Sequence, residues 1–377
     1  MTDRTRLNGS KVLKGVAAFA LHCPSPGEET PLGLSRAFAE AGINLPYVTM
    51  TRDSCACAMT LVVEAADAFR TERLLTGAGF GELVLHNSAC VVLSLFPHQS
   101  NPSVPAALFR SFERENIRLE GIANSPSAIS LVIQESFLEP ASRILFEAFT
   151  FKTYRTPEEW KAAQKGKEVL YKEVVASYQE KRPKVYGVTC LENQSVVSHV
   201  LEDGSLAPVA DMLDKAAYRG HRLSLISFGP WRTPGREHVL YGLPAPVPLF
   251  SGLPGNSHVP VPSTATETPA AVFTMNGPHF GDRHGITSEL LAALDENDVH
   301  LLALNCTVAS ITGAIPSLEL DPALDAIQHC FEVPSVFPAC APPPGHPALC
   351  ERLPRAQGER THFTKHLCCV ILGSDFW

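Results

Sequence analysis

The stretch from residue 87 to residue 149 constrains the fold of this chain more than any other part of its sequence. The apolar run Cys90 to Phe96 and the alternating run Ile129 to Ile133 predict strands, while Val104 to Glu115 carries apolar residues at helical spacing. A further short strand fits before Ile129, and residues 138 to 149 predict a second helix. The order strand, helix, strand, strand, helix is that of a small α+β module.

The same pattern recurs four times along the chain. The residues that directly follow the first helix of each repeat line up in equivalent places, and recurrence at a fixed structural position indicates repeated domains. The sequence therefore predicts four units arranged as two pairs. The aligned triplets are Gly42-Ile43-Asn44, Asn116-Ile117-Arg118, Gly220-His221-Arg222 and Asp298-Val299-His300.

Seven segments make up the predicted organisation. In the third unit, a polar segment up to Gly204 is predicted as a loop, and a Pro/Gly-rich segment replaces the second helix. The second unit is interpreted as the scaffold against which the first unit pairs. The segments are unit 1 (11–86), unit 2 (87–155), a linker helix (156–183), an incomplete unit 3 (184–243), a Pro/Gly-rich linker (244–269), unit 4 (270–333) and a low-order tail (334–377).

Two phrases in the sequence resemble a known family. NIRLEGIANSPSAISLVIQESFLEPASRILFEAF and LSRAFAEAGINLPYVTM are similar to ACT domains of aspartokinase regulatory regions. The resemblance implies tandem ferredoxin-like βαββαβ units with antiparallel sheets. It also implies a non-catalytic regulatory protein that binds an amino-acid effector where two ACT units meet.

One loop of unit 4 is the clearest candidate for such a site. In ACT domains, an acidic residue, two further residues and a glycine lie between the first strand and the first helix, and Asp282, Arg283, His284, Gly285 and Ile286 resemble that element. Unpaired N–H groups at the helix start can hold a carboxylate, and Asp282 can pair with an ammonium group. The alternative is a glycine-rich turn that only caps the helix.

Unit 1 contributes the other candidate residues. Its corresponding loop contains Gly27 and Glu29, and the resemblance places Asn44 where aspartokinase ACT units contact their effector. The amide of Asn44 offers both a donor and an acceptor. The other three units have Arg118, Arg222 or His300 at the position of Asn44, which departs from the family pattern.

A metal-dependent enzyme is the third reading of the sequence. His279, Asp282 and His284 could ligate zinc or iron, but no fourth ligand is identified, and we expect neither a metal nor a cofactor. Nucleophile-elbow, Walker and dinucleotide motifs are absent from the sequence. No lysine-aromatic-glycine-glycine opening is found, so aspartate phosphorylation by this chain alone is not expected.

Composition narrows the range of partners. The net charge is −8 with Lys and Arg dispersed, so no nucleic-acid partner is expected, and we expect neither a signal peptide nor a membrane span. The sequence predicts a cytoplasmic protein with an amino-acid effector. An aspartokinase-type or other amino-acid-metabolism enzyme as a protein partner, and a homodimer, are left open. The runner-up function is a trans-acting or structural subunit of an aspartokinase with degenerate ligand sites.

Overall fold

The computed structural model describes residues 5–23, 29–52, 56–77, 82–164, 182–201, 204–231, 236–245, 264–277, 280–281, 283–333 and 336–338. They belong to one compact unit, Met1–Ala339. The strands are β1 Thr5–Leu7, β2 Gly9–Cys23, β3 Tyr47–Arg52, β4 Cys57–Glu64, β5 Glu82–Phe96, β6 Gly121–Asn124, β7 Ile129–Gln134, β8 Phe149–Phe151, β9 Gly187–Leu201, β10 Leu225–Pro230, β11 Glu237–Pro244, β12 Thr264–Asn276, β13 Ala303–Cys306, β14 Ser310–Pro316 and β15 Val336–Pro338. The α-helices are α1 Glu29–Glu40, α2 Ala68–Gly77, α3 Ser103–Arg114, α4 Leu138–Ala148, α5 Pro157–Gln164, α6 Ala207–Tyr218, α7 Ile286–Asp295 and α8 Leu320–Cys330.

Most strands join a single 13-stranded sheet. Its order is β11-β10-β6-β7-β5-β2-β4-β3-β13-β14-β12-β9-β15, and a further pairing of β9 with β11 closes the order into a ring. Within the ring the neighbours are antiparallel, and only β15 adds to β9 in parallel. Closure leaves few exposed strand edges, which protects a large sheet from pairing with other chains.

Four strand groups can be read along this ring. Group 1 is β3-β4-β2-β5, group 2 is β6-β7-β5-β2, group 3 is β10-β11-β9-β12, and group 4 is β13-β14-β12-β9. Groups 1 and 2 therefore share the long strands β2 and β5, and groups 3 and 4 share β9 and β12. In groups 1 and 3 the third strand in chain order pairs with the first, and in groups 2 and 4 the fourth pairs with the second. The second half of the chain therefore repeats the topology of the first.

The shared strand β2 gains a second partner near a local irregularity. It pairs with β5 from Gly9 to His22, whereas only Val16 to Cys23 also pair with β4. The register shifts between Leu13 and Val16, where Gly15 has a φ of +69°. A glycine in the left-handed region is the usual way to place a bulge in a strand. One strand can therefore serve two groups.

The chain turns in the same way after the first helix of every group. A residue two or three positions after the end of each helix has a positive φ: +64° at Gly42, +54° at Asn116, +77° at Gly220 and +54° at Asp298. The residue that follows each of these donates its N–H to a carbonyl five residues back, as in Ile43 to Phe38 at 3.0 Å. This is a Schellman end, and it occurs at each of the four positions aligned from the sequence.

Two predictions for the third repeat are wrong. The polar segment after residue 189 is strand and not loop, because Gly187–Leu201 pairs along its length with β12 and in its second half with β11. The predicted linker 244–269 ends earlier than expected, because β12 begins at Thr264 and pairs there with His199 of β9. Both segments are polar in sequence and so lack the alternating apolar pattern that predicts a strand. They are strands because their backbones pair with neighbouring strands.

The second helix of the second repeat, Leu138–Ala148, does not begin with the capping box that its sequence suggests. Ser136 and Glu139 have the spacing of a capping box, but Ser136 lies in a 3₁₀ turn and Phe137 occupies the cap position without a side-chain hydrogen bond. Of the predicted linker helix 156–183, the structure shows α5 at Pro157–Gln164, with Trp160 buried. The rest of that segment up to residue 181, the 246–263 part of the predicted linker and the tail beyond residue 338 lie outside the described residues.

The groups meet side by side across the two halves of the chain. β3 pairs antiparallel with β13 and α1 packs on α7, so group 1 adjoins group 4. β6 pairs with β10 and α3 packs on α6, so group 2 adjoins group 3. Among the described residues, no helix has the length and apolar character needed to cross a membrane.

Candidate functional site

The contact between groups 1 and 4 brings together candidate residues that are far apart in sequence. Asn44 follows the end of α1 in group 1, and its side-chain Nδ2 donates a hydrogen bond to the backbone oxygen of Gly281 in the loop before α7. The two residues are separated by 237 positions. The single asparagine among the four aligned positions and the glycine-containing loop of the fourth repeat therefore lie in one place.

The orientation of the Asn44 amide follows from this contact. A carbonyl oxygen can only accept, so the atom that faces Gly281 must be the amide nitrogen. The other end of the amide, Oδ1, is buried and has no hydrogen-bond partner among the described residues. A buried acceptor without a partner costs about 1–3 kcal/mol. This oxygen is therefore suited to accept a hydrogen bond from a ligand N–H group or a water molecule.

The loop before α7 is held by close backbone packing. The N–H of Gly281 donates to the carbonyl of Val308 at 2.9 Å, and a Cβ at Gly281 would lie 2.5 Å from the Val308 Cα. Gly285 caps α7 with a φ of +89°, a conformation that favours glycine. Glycines at these two positions allow the loop to pass close to its neighbours and then to turn into the helix.

The start of α7 presents a polar edge to this loop. The first N–H groups of a helix lack intrahelical partners and carry a partial positive charge. Arg283 forms an ion pair with Glu289 at 3.0 Å, and the Thr287 hydroxyl contacts the Cys306 sulfur at 3.8 Å. Burial raises the pKa of the Cys306 thiol to about 12, so it stays protonated at neutral pH.

A cavity of about 10 Å³ lies between α1 and α7. Ile43 and Leu45, the sequence neighbours of Asn44, line it, whereas Asn44 itself does not. That volume holds about one water molecule, so a larger ligand requires the loop to move outward. Of the residues predicted from the sequence, Arg283, Gly285 and Ile286 line the cavity, whereas His284 is exposed and does not. The other lining residues are Ser35, Phe38, Ala39, Ile43, Leu45, Phe280, Thr287 and Ser288.

The remaining predicted site residues give less information. Glu29 is the first residue of α1. Gly27, His279 and Asp282 lie outside the described residues, so their part in a ligand or metal site stays a prediction. Within the described part of the chain, no three His, Cys, Asp or Glu side chains are placed to hold a metal ion.

A second cavity of about 60 Å³ lies at another point of the same α1 and α7 contact. Pro31 and Leu32 at the start of α1 line it, together with Arg52 at the end of β3 and the residues that follow α7, from Asp298 to Leu301. The two cavities are related by exchange of equivalent elements from the two halves of the chain. In each cavity, the start of one helix faces the segment that follows the other helix. The sequence did not single out Arg52, since only the pairing of β3 with β13 brings it there.

At the contact between groups 2 and 3, the chain occupies the equivalent positions itself. Arg222 donates to the carbonyl of Gln99 at 3.2 Å, and Arg118 lies 3.7 Å from the carboxylate of Glu237. The hydroxyl of Ser205 donates to Glu113 at 2.9 Å. The arginines that replace Asn44 in these repeats therefore bind the facing loop or strand. They leave these positions already occupied by groups of the chain.

Comparison with known structures relates this fold to aspartate kinases. The chain is similar to the aspartate kinase from Synechocystis, with 15% identity over 92% of this chain and 58% of that chain and a TM-score of 0.65. The chain therefore spans 58% of that kinase chain. The ligand-free regulatory subunit of aspartate kinase from Thermus thermophilus matches 38% of this chain and 99% of its own, with 22% identity and a TM-score of 0.34. No family model and no curated protein matches the sequence. The first similarity shows an aspartokinase-like α+β fold with an antiparallel sheet, as the sequence predicts.

Proposed function

We propose that the four strand groups are four ACT-like ferredoxin units and that the protein is a regulatory protein that binds a free amino acid between groups 1 and 4. Three features support the unit assignment: the strand order of each group, the Schellman turn after each first helix, and the fold shared with an aspartate kinase over most of this chain. In this proposal, groups 1 and 4 form one pair and groups 2 and 3 form the other.

The contact between Asn44 and Gly281 carries the proposal. It joins the Asn44 side chain, from the first half of the chain, to the loop before α7, from the second half, and the ligand requires both. The N–H groups at the start of α7 can hold the ligand carboxylate, and the buried Asn44 Oδ1 can accept from its ammonium group. Asp282 is proposed as a further partner of the ammonium.

Regulation follows if the ligand prefers one arrangement of groups 1 and 4. A ligand shifts a conformational equilibrium only by the difference between its affinities for the two arrangements. The cavity beside Asn44 holds only about 10 Å³, so an amino acid binds an opened arrangement better than the closed one. The opening would displace the segment 280–286, which lies between the end of β12 at Asn276 and the first residue of α7.

A thermal-shift screen of the common free amino acids tests this function. A ligand at 100 times its dissociation constant stabilises the protein by about 2.7 kcal/mol, which is measurable as a raised Tm. Asn44→Ala should remove most of that shift. The matched control is Asn297→Ala, because the Asn297 amide also donates one hydrogen bond to a backbone carbonyl, Ala293 at 2.8 Å, but on an exposed surface. A screen in which no amino acid stabilises the wild-type protein would contradict the proposal.

A kinase-type partner is the second candidate, because the kinase chain of similar fold is longer than the part this chain matches. We propose that the same array could regulate a separate aspartokinase-type catalytic protein. The purified chain would then bind such a kinase and alter its inhibition by amino acids. Affinity capture with the purified chain, followed by an aspartate phosphorylation assay of the captured protein, measures both effects. If the kinase does not bind the chain and its inhibition by amino acids does not change, this second role is refuted. That result would not bear on the proposed amino-acid site.

A further inference from the structure

Two cysteines lie opposite each other on neighbouring strands of group 1. Cys23 is the last residue of β2, Cys57 is the first residue of β4, and the strand register pairs them directly. Directly opposite residues of an antiparallel pair point to the same face of the sheet, and both side chains are buried in the same apolar core. Among the strand pairings that the structure describes, only here does cysteine face cysteine.

The backbone hydrogen bonds around Cys57 give the separation of the two cysteines. Arg52 of β3 pairs with Cys57 from the other side, but its N–H donates to the carbonyl of Leu302 at 3.0 Å, away from β4. Arg52 and Cys57 are therefore a non-hydrogen-bonded pair, so the N–H and C=O of Cys57 point towards β2. Cys57 and Cys23 then form a hydrogen-bonded pair, whose Cα atoms lie about 5.5 Å apart. Disulfides join cysteines with Cα separations of about 4.4–6.8 Å, so this pair can be bridged.

Burial and charge set the rate at which these thiols react. Burial raises the pKa of the Cys23 thiol to about 11, and the positive charge of Arg52 opposes that rise. The thiolate is the reactive form, and below the pKa its fraction grows about tenfold with each pH unit. The pair therefore reacts slowly with an oxidant at neutral pH and faster in alkaline solution.

We propose that Cys23 and Cys57 are a redox-modification site, at which a peroxide joins them in a reversible disulfide. One thiolate attacks hydrogen peroxide and becomes a sulfenic acid with release of hydroxide, and the other thiolate then displaces hydroxide from that sulfur. In sum, two thiols are oxidised to one disulfide, and one hydrogen peroxide is reduced to two water molecules. A dithiol such as dithiothreitol reverses the reaction by two thiol–disulfide exchanges.

The disulfide would close the segment 24–56 into a loop. That segment contains α1, Asn44 and β3, which form the group 1 side of the contact with group 4. A closed loop restricts the unfolded chain, so the oxidised protein should unfold at a higher temperature than the reduced protein. The inference goes beyond the proposed amino-acid binding and does not depend on it, because its test requires no ligand.

Peptide mapping of the full chain after oxidation tests the proposal. The folded protein is treated with hydrogen peroxide at about pH 8.5, blocked with N-ethylmaleimide in denaturant, and digested with trypsin without reduction. Cleavage after Lys and Arg places the two cysteines in peptides 15–36 and 53–70. We expect mass spectrometry to find these two peptides joined as the dominant cross-link, and dithiothreitol to separate them. Absence of the cross-link, or its formation only in urea, would overturn the proposal.

Cysteine variants assign the cross-link, because peptide 53–70 also contains Cys55, which lies outside the described residues. Cys57→Ala should abolish the cross-link, whereas Cys55→Ala should retain it. Cys90→Ala is the matched control and should also retain it, because Cys90 is equally buried but faces Gln134 on β7. A cross-link that survives Cys57→Ala and is lost in Cys55→Ala would overturn the proposal. Should Cys57→Ala fail to fold, fragmentation of the wild-type cross-linked peptide identifies the bonded residue.

Thermal unfolding without reductant measures the consequence of the bond. Oxidation should raise the Tm of the wild-type protein and of Cys90→Ala by about 5 °C, and dithiothreitol should restore the original value. Cys57→Ala should show no such rise, although peroxide can still oxidise its methionines. A cross-linked wild-type protein that unfolds at or below the Tm of the reduced protein would show that the bond distorts the strands, and would overturn the proposal.

Discussion

A single methyl group at Gly281 should damage both the loop and the ligand site. A Cβ at this position would lie 2.5 Å from the Cα of Val308 and 3.0 Å from its Cβ, and a backbone atom cannot rotate away as a side-chain tip can. The loop cannot simply retreat, because the Gly281 N–H donates to the Val308 carbonyl at 2.9 Å. Relief of the clash therefore breaks that bond and withdraws the carbonyl that Asn44 contacts.

The expected cost of Gly281→Ala follows from these contacts. Overpacking of this kind costs about 1–3 kcal/mol, and each lost hydrogen bond adds about 1 kcal/mol. With both hydrogen bonds lost, we expect a loss of about 3–5 kcal/mol in the free energy of unfolding, together with a loss of amino-acid binding near Asn44. Gly285→Ala is the matched control. Its Cβ would meet only the Ala39 Cβ at 3.6 Å, and its φ of +89° sets a cost of about 1–2 kcal/mol.

Urea unfolding followed by circular dichroism measures the stability of both variants, and calorimetric titration measures their ligand affinity. The reasoning requires that Gly281→Ala lose more stability than Gly285→Ala. Stability of Gly281→Ala within about 0.5 kcal/mol of wild type, the range of a neutral surface substitution, would show that Val308 does not constrain the loop. Unchanged ligand affinity in that variant would separate Gly281 from the site.

Three further predictions concern the rest of the fold. Burial lowers the pKa of His199 to about 4. Between about pH 6.5 and pH 4, the unfolded chain binds a proton at His199 that the folded chain does not. The free energy of unfolding should therefore fall by up to about 3 kcal/mol as the pH is lowered through that range. Between pH 7 and pH 4.5, the urea midpoint of His199→Gln should drop less than that of the wild-type protein. Gly220→Ala should cost about 1 kcal/mol in thermal unfolding, because its φ is +77° and no atom lies within 4 Å of the new methyl group. A double-mutant cycle of Arg110 and Asp214, which pair across α3 and α6 while largely exposed, should give a coupling below about 1 kcal/mol.

Much of the local structure could be predicted from the sequence. The helix over Val104 to Glu115 and the strand beginning at Ile129 follow apolar periodicity, and the structure has them at Ser103–Arg114 and Ile129–Gln134. The four turns after the first helices were also recognisable, because glycine, asparagine and aspartate tolerate a positive φ. These features depend on local preferences, which a single sequence records.

The site could be predicted only in parts. Asn44 and the loop before α7 were identified separately, and nothing local states that β3 pairs with β13 and brings them together. The same holds for Arg52, which lines the second cavity together with residues of α7 and of the segment from Asp298 to Leu301. The strand Gly187–Leu201 was missed because polar side chains are tolerated there once both edges are paired. Each of these misses arises from contacts between distant parts of the chain.

Hydrogen exchange measured by mass spectrometry, with and without the stabilising amino acid, tests the central claim most directly. The account predicts that the ligand slows exchange in residues 280–289 and in residues 35–45, which form the two sides of the contact between groups 1 and 4. The equivalent segments 97–102 and 204–206 should not change, because Arg222 and Ser205 already bind across that contact. Protection confined to those segments, or no protection in residues 280–289, would contradict an amino-acid site between groups 1 and 4.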